Sequence, residues 1–154
     1  MFKKWVVILA LLTSLPALAF KEGDMLTDTA SAGLSLDPKK LTIVDFFAEW
    51  CVSCRHELPE VNSLYQTLDS TGVTVVGVDV DEDVEVGLAF QKELGLKFPV
   101  VNDPEQSLVN EFTPIGMPAL YYIYQGQILK VRFGAINNIS KVITEDLAGM
   151  GVEL

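Results

Sequence analysis

The period of the hydrophobic positions changes several times along this chain, and each change marks an element. The run Leu41-Thr42-Ile43-Val44-Asp45-Phe46-Phe47 is β-branched and aromatic almost throughout, which predicts a buried parallel strand with one acid set into it. Further on the period becomes three to four. Leu58, Val61, Leu64 and Leu68 fall on one face of a helix over 55–68, which Pro59 would kink. Trp50-Cys51-Val52-Ser53-Cys54 lies between the two, where strand hands over to helix.

The same alternation continues downstream. Residues 73–80 read as a second buried strand, closed by the acidic turn Asp81-Glu82-Asp83, and 85–94 as a helix. A short strand follows at 98–102 and a helix at 104–112, with Pro104 near its first turn. Strands at 119–124 and 128–133, joined by Gln125-Gly126, make a hairpin; a last helix over 140–147 takes Ser140 as its N-cap. Residues 20–40 show no clear period and read as a lead-in with one short strand. Strands alternating with helices, then a terminal hairpin and helix, predict an α/β fold with a mixed sheet between helices.

The first residues belong to a different pattern. Lys3 and Lys4 precede an apolar run over 5–15, and Pro16-Ala17-Leu18-Ala19 ends it with a helix breaker and small residues. That is the layout of a secretory signal cut near Ala19, leaving residues 20–154 as one domain. Uncleaved, the segment would be a membrane anchor, although 5–15 is shorter than the roughly 20 apolar residues that cross a bilayer. The net charge of −10 becomes −12 once Lys3 and Lys4 are removed, which argues against nucleic acid as a partner.

Export sharpens the meaning of the cysteines, since both lie in one C-x-x-C. As a staple the pair would close a four-residue loop worth only about 2 kcal/mol. As a redox pair at the start of a helix it has a clear use, because free N–H groups and the helix dipole stabilise a thiolate. Cys51 is then the attacking thiol and Cys54 the resolving one, a turn further in and better covered. Zinc would need two further Cys or His ligands, and His56 is the chain's one histidine, placed one residue beyond the haem-attachment spacing. Asp79, Asp81, Asp83 and Glu85 suggest a calcium loop, but Val84 stands where such a loop needs glycine, so they read as a solvated strand end.

Taken together, Val44-Asp45-Phe46-Phe47-Ala48-Glu49-Trp50-Cys51-x-x-Cys54 with Pro59 resembles the thioredoxin active-site segment. Gly116-Met117-Pro118 is similar to that family's cis-proline turn, with Gly126 and Gly134-Ala135 at the family's spacing behind it. Pro118 follows Cys51 by 67 residues, and the added length, holding Phe98-Pro99-Val100-Val101-Asn102-Asp103-Pro104, resembles the TlpA/ResA-like branch of exported thiol-disulfide oxidoreductases. Cys54-Arg55-His56-Glu57 resembles that branch's C-x-x-E, while Asp45 matches the buried acid of ordinary thioredoxins.

The resemblance implies a thioredoxin fold with a strand and helix inserted before the cis-proline. It also implies reduction of disulfides in exported proteins, including apocytochrome c thiols, by a dithiol that a membrane thiol-disulfide donor keeps reduced. No cofactor beyond the Cys51–Cys54 pair and no metal is implied, and a monomer is expected. Asp45 is expected as a proton relay to Cys54 and Glu57 as the tuner of thiol basicity. The bland readings are a hydrogen-bonded strand acid and a solvated helix acid. Trp50 would be a lid beside Cys51, and Met117, ahead of Pro118, would offer its backbone to an extended substrate. Oxidase or isomerase activity, a redox-inert binding module and a copper(I) chaperone are the rival functions, because Val52-Ser53 matches neither the reducing nor the strongly oxidising dipeptide.

Overall fold

A computed structural model describes residues 19–68 and 71–154, so the signal expected over 1–19 lies, Ala19 apart, outside the described residues. Strands β1 (Leu41–Phe47), β2 (Val73–Asp79), β3 (Val100–Asn102), β4 (Ala119–Tyr124) and β5 (Gln127–Phe133) form a sheet of order β3-β2-β1-β4-β5. β1, β2 and β3 run parallel, whereas β4 pairs antiparallel with both β1 and β5. That is the mixed sheet the pattern predicted, with β1 central and buried along its whole length.

Side chains alternate across a strand, so β1 divides the core in two. Leu41, Ile43 and Phe47 pack with Cys54, Leu58 and Val61 of α2 (Val52–Tyr65), Phe90 of α3 (Val84–Leu94), and Ile139, Ile143 and Leu147 of α5 (Ile139–Gly149). Val44 and Phe46 face the other way, onto Ala30 and Leu34 of α1 (Asp28–Leu34) and Leu108 and Phe112 of α4 (Ser107–Phe112). Asp45 shares the parity of Ile43 and Phe47 and is fully buried, which sets a carboxyl in the layer beneath α2.

Several boundaries differ from the sequence reading. Residues 20–40 hold a helix, α1, and not a strand; the strand-like part is a single bridge from Met25 to Gln127. Its sequence, DTASAGL, buries only Ala30 and Leu34, too few for a visible period, and Thr27 caps it by accepting from the Ala30 amide at 3.0 Å. Helix α2 starts at Val52 because Cys51 itself is the N-cap, which puts both cysteines in the first turn. Helix α4 starts at Ser107 and not at Pro104: Gln106 takes a left-handed conformation, and Asp103 Oδ2 accepts from the amides of Leu108 and Val109. Ser140 is not the N-cap of α5, since Asn138 occupies that position in a left-handed conformation without a side-chain cap.

Candidate active site

The redox pair is formed as a disulfide, Cys51–Cys54, at the N-terminus of α2. Cys51 Sγ accepts from the Cys54 amide at 3.2 Å, so the sulfur of the first cysteine sits where the helix presents its free N–H groups. Cys51 retains 6% of its surface and Cys54 none, the ordering expected of an attacking and a resolving thiol.

Beside Cys51 lies an open groove of about 530 Å³, lined among others by Trp50, Val52, Val109, Ile115 and Met117. Trp50 is 63% exposed and Ile115 79%, so the rim is apolar and uncovered. The Met117–Pro118 bond is cis; Met117 faces the groove, while Pro118 is buried and its carbonyl accepts from the Gly134 amide at 2.8 Å. Val109, Pro114 and Ile115 come from α4 and the segment after it, and no periodic pattern marks them as groove residues.

Both acids singled out from the sequence are buried next to the pair's helix. Asp45 is fully buried and Glu57 keeps 4% of its surface, and no carboxyl oxygen of either has a hydrogen-bond partner among the described residues. The bland readings therefore do not describe them: Asp45 has no satisfying bond, and Glu57 is not solvated. Burial, with Glu57 nearby as a second cause, holds the Asp45 carboxyl well above the usual range. Burial and then the charge of Glu60 push Glu57 up to about 8. Glu57 and Glu60 line a second cavity of about 590 Å³ with His56 and the 135–138 connection, on the far side of Val52 and Ser53 from the groove.

The acidic strand end is solvated only in part: Asp83 and Glu85 are exposed, whereas Asp79 and Asp81 are buried. Asp79 keeps 1% of its surface and Asp81 6%, and Asp81 Oδ2 accepts from the Glu49 amide at 2.8 Å, which hangs the loop before Trp50 from the end of β2. Asp79 Oδ1 in turn accepts from the Asp81 amide, and its Oδ2 from Gln91 Nε2 at 2.7 Å. A Cβ on Gly87 would come within 2.6 Å of that carboxylate, which explains a glycine inside α3. Asp83 caps the same helix by accepting from the Glu85 amide. Among the described residues no three His, Cys, Asp or Glu side chains cluster so as to hold a metal ion, and no helix is long and apolar enough to cross a membrane.

This arrangement agrees with comparisons to known proteins. The chain is 30% identical over 98 residues to the thiol-disulfide oxidoreductase ResA of Bacillus subtilis, covering 63% of this chain and 55% of ResA. It thus spans little more than half the length of that curated relative. The crystal structure of StoA from Bacillus subtilis superposes with a TM-score of 0.64 at 28% identity, over 71% of this chain and 83% of StoA. A thiol:disulfide interchange protein of the thioredoxin family from Chlorobium tepidum gives 0.62 at 26% identity, over 85% of this chain and 99% of that one. The fold is thioredoxin-like, and the ResA likeness agrees with the branch that the sequence resembles. The model of the AhpC/TSA family matches residues 16–132, well over half of the chain, and the protein belongs to that family.

Proposed function

We propose that the protein is an exported thiol-disulfide oxidoreductase that reduces disulfides of other exported proteins. The observation that carries this reading is the Cys51–Cys54 pair at the N-terminus of α2, with Cys51 at the edge of an apolar groove, Cys54 buried in the core between α2 and β1, and the bare acid Glu57 one helical turn after Cys54 on α2. In the reduced protein the Cys51 thiolate attacks a substrate disulfide, forming a mixed disulfide and expelling one substrate thiolate. Cys54 loses its proton and attacks the Cys51 sulfur, closing the intramolecular disulfide and releasing the second substrate thiolate. Two electrons and two protons pass from the dithiol to the substrate, which leaves as two thiols.

Cys54 is fully buried, so its proton passes to a neighbouring protein group. Glu57 at about 8 lies close to the value of about 8.5 for an ordinary thiol, and a carboxyl with matched proton affinity can both accept and return a proton. Asp45, raised in the same direction, is the relay on the strand side. Trp50 stands at the groove rim beside Cys51 as the lid for a bound substrate, and Met117 presents its backbone to an extended substrate segment ending in the target cysteine. A membrane thiol-disulfide donor restores the dithiol after each cycle, and cleavage near Ala19 releases residues 20–154 into the periplasm.

The reducing direction rests on the surroundings of Cys51. Ser53 adds no positive charge that would stabilise the Cys51 thiolate, and a less stabilised thiolate favours the disulfide and lowers the potential. Equilibration with glutathione buffers should give a value nearer the thioredoxin potential of about −270 mV than about −120 mV. A value above about −150 mV would make the protein an oxidant. Cys54→Ser should accumulate a mixed disulfide with substrate through Cys51, and Cys51→Ser none.

A further inference from the structure

Helix α5 begins without a cap of its own. Asn138 stands at its N-cap in a left-handed conformation and makes no side-chain bond, so the first amides need a partner from elsewhere. Glu60 of α2, 80 residues away in sequence, supplies it: its Oε2 accepts from the Ser140 amide at 3.2 Å and from Ser140 Oγ at 3.1 Å. A carboxylate in that position is favoured by the helix dipole and held in one place. Glu60 also lines the cavity into which Glu57 is set, one helical turn from it, and the opposite wall is the 135–138 connection that leads into α5.

We propose that Glu60 is a positioning residue for the redox centre: latched to the first turn of α5, it keeps a fixed negative charge at the wall of the Glu57 cavity and so governs when Glu57 gives up its proton. The inference rests on the proton-carrying role of Glu57 proposed above. Few other charges compete at this place. Asp45 faces Glu57 from β1, His56 is exposed on α2, and the Ala135-Ile136-Asn137-Asn138 wall is uncharged. Lys141, next to Ser140, is drawn to Glu145 at 3.7 Å on the surface. With Glu57 buried and Glu60 negative, the proton stays on Glu57 to a higher pH than burial alone would keep it, which agrees with the second cause of its upward shift. One carboxylate thereby ties the cavity wall to α2 and sets the working pH of its neighbour.

Glu60→Gln separates the two roles, because the amide oxygen can still accept from Ser140 while the charge is gone. Carboxyl carbon NMR of the oxidised protein, with Glu57 assigned by loss of its signal in Glu57→Gln, would follow its titration. The midpoint should fall by about half a unit to one unit in Glu60→Gln, a three- to tenfold loss of proton affinity. The thermal midpoint should barely move, and the break in the pH profile of disulfide exchange should shift with the NMR midpoint. Ser140→Ala, which loosens Glu60 without removing its charge, should lower the midpoint by less. A raised Glu57 midpoint that neither variant moves would leave Glu60 as a helix cap and overturn the proposal. A wild-type Glu57 that titrates in the ordinary carboxylate range would overturn the proton-carrying reading itself, and this inference with it.

Discussion

Two places in this molecule bury acids, and they treat them in opposite ways. Asp146 on α5 keeps 6% of its surface and is saturated: Arg132 reaches both its oxygens with Nε and Nη2, Lys130 Nζ lies 2.9 Å away, and the Tyr122 hydroxyl donates at 2.9 Å. Burial pushes its carboxyl up, but these donors outweigh burial and bring it down to about 2. Asp45 and Glu57 are buried to the same degree and have no partner among the described residues. An acid placed for structure is paired, since a bare buried carboxylate is among the most unfavourable groups a core can hold. Left bare, Asp45 and Glu57 hold their protons more tightly than an ordinary carboxyl, Glu57 to about 8, and that costs stability.

Asp146→Ala should show the largest loss of stability. It strands the Tyr122 hydroxyl and removes the shared partner of two cations, for a loss of about 2–4 kcal/mol in denaturant unfolding. Disulfide exchange measured below the unfolding transition should be unchanged; a fall in exchange without a fall in stability would erase the distinction between the two regions. Asp45→Asn should go the other way. It relieves the folded chain of a bare buried carboxyl whose ionisation the core opposes, for a gain of about 1–3 kcal/mol, while exchange slows by about a hundredfold with the proposed relay removed. Destabilisation comparable to Asp146→Ala would mean that Asp45 is held by bonds after all.

How much of this contrast could be read from sequence differs between the two regions. The strand carrying Asp45 and the C-x-x-C after it were legible because a continuous apolar run and a local motif need no tertiary information. Burial of Glu57 was not legible: it stands one position before Leu58 on α2, and nothing local says that both face the core. The Asp146 cluster draws on β4, β5 and α5, and the Glu60–Ser140 latch spans α2 and α5; neither leaves a trace at short sequence distance. Helix α1 is not legible for a related reason, since its small residues give a stripe too narrow to register as a period. A charge run reads as solvated because such runs usually are, whereas here the Asp79 and Asp81 carboxylates accept backbone amides that fix the loop before Trp50.

The contrast also has a pH signature. An acid that unfolded chains release near 4.5 and the folded chain retains to about 8 gives stability that is complete below 4.5 and is lost as pH rises towards 8. Asp146, lowered from 3.8 to about 2, gives stability that is present above 3.8 and lost as pH falls towards 2. The unfolding free energy of the oxidised protein should therefore decline between pH 5 and 8, with Glu57 contributing a slope of at most about 1.4 kcal/mol per unit. Glu57→Gln should make that decline shallower, with Asp45 still contributing to it, and leave the acid limb below pH 4 in place. An unchanged slope would show that Glu57 ionises freely in the fold.

The smallest expected effect comes from Arg132→Lys, and it tests whether the saturated region depends on geometry or only on charge. The guanidinium donates Nε–H to Asp146 Oδ2 and Nη2–H to Oδ1, a two-pronged contact that an ammonium cannot reproduce. Charge is conserved in the variant, and Lys130 and Tyr122 still reach the carboxylate, so Asp146 should remain ionised and the acid limb should move little. The loss should be about 0.5–1.5 kcal/mol in denaturant unfolding, from one misaligned bond rather than a stranded charge. Because Arg132 is half-buried, water can hydrate the part of the carboxylate that the fork leaves open, which keeps the loss at this level. A loss equal to that of Asp146→Ala would mean that the fork alone holds this acid, and that Lys130 and Tyr122 add nothing to it.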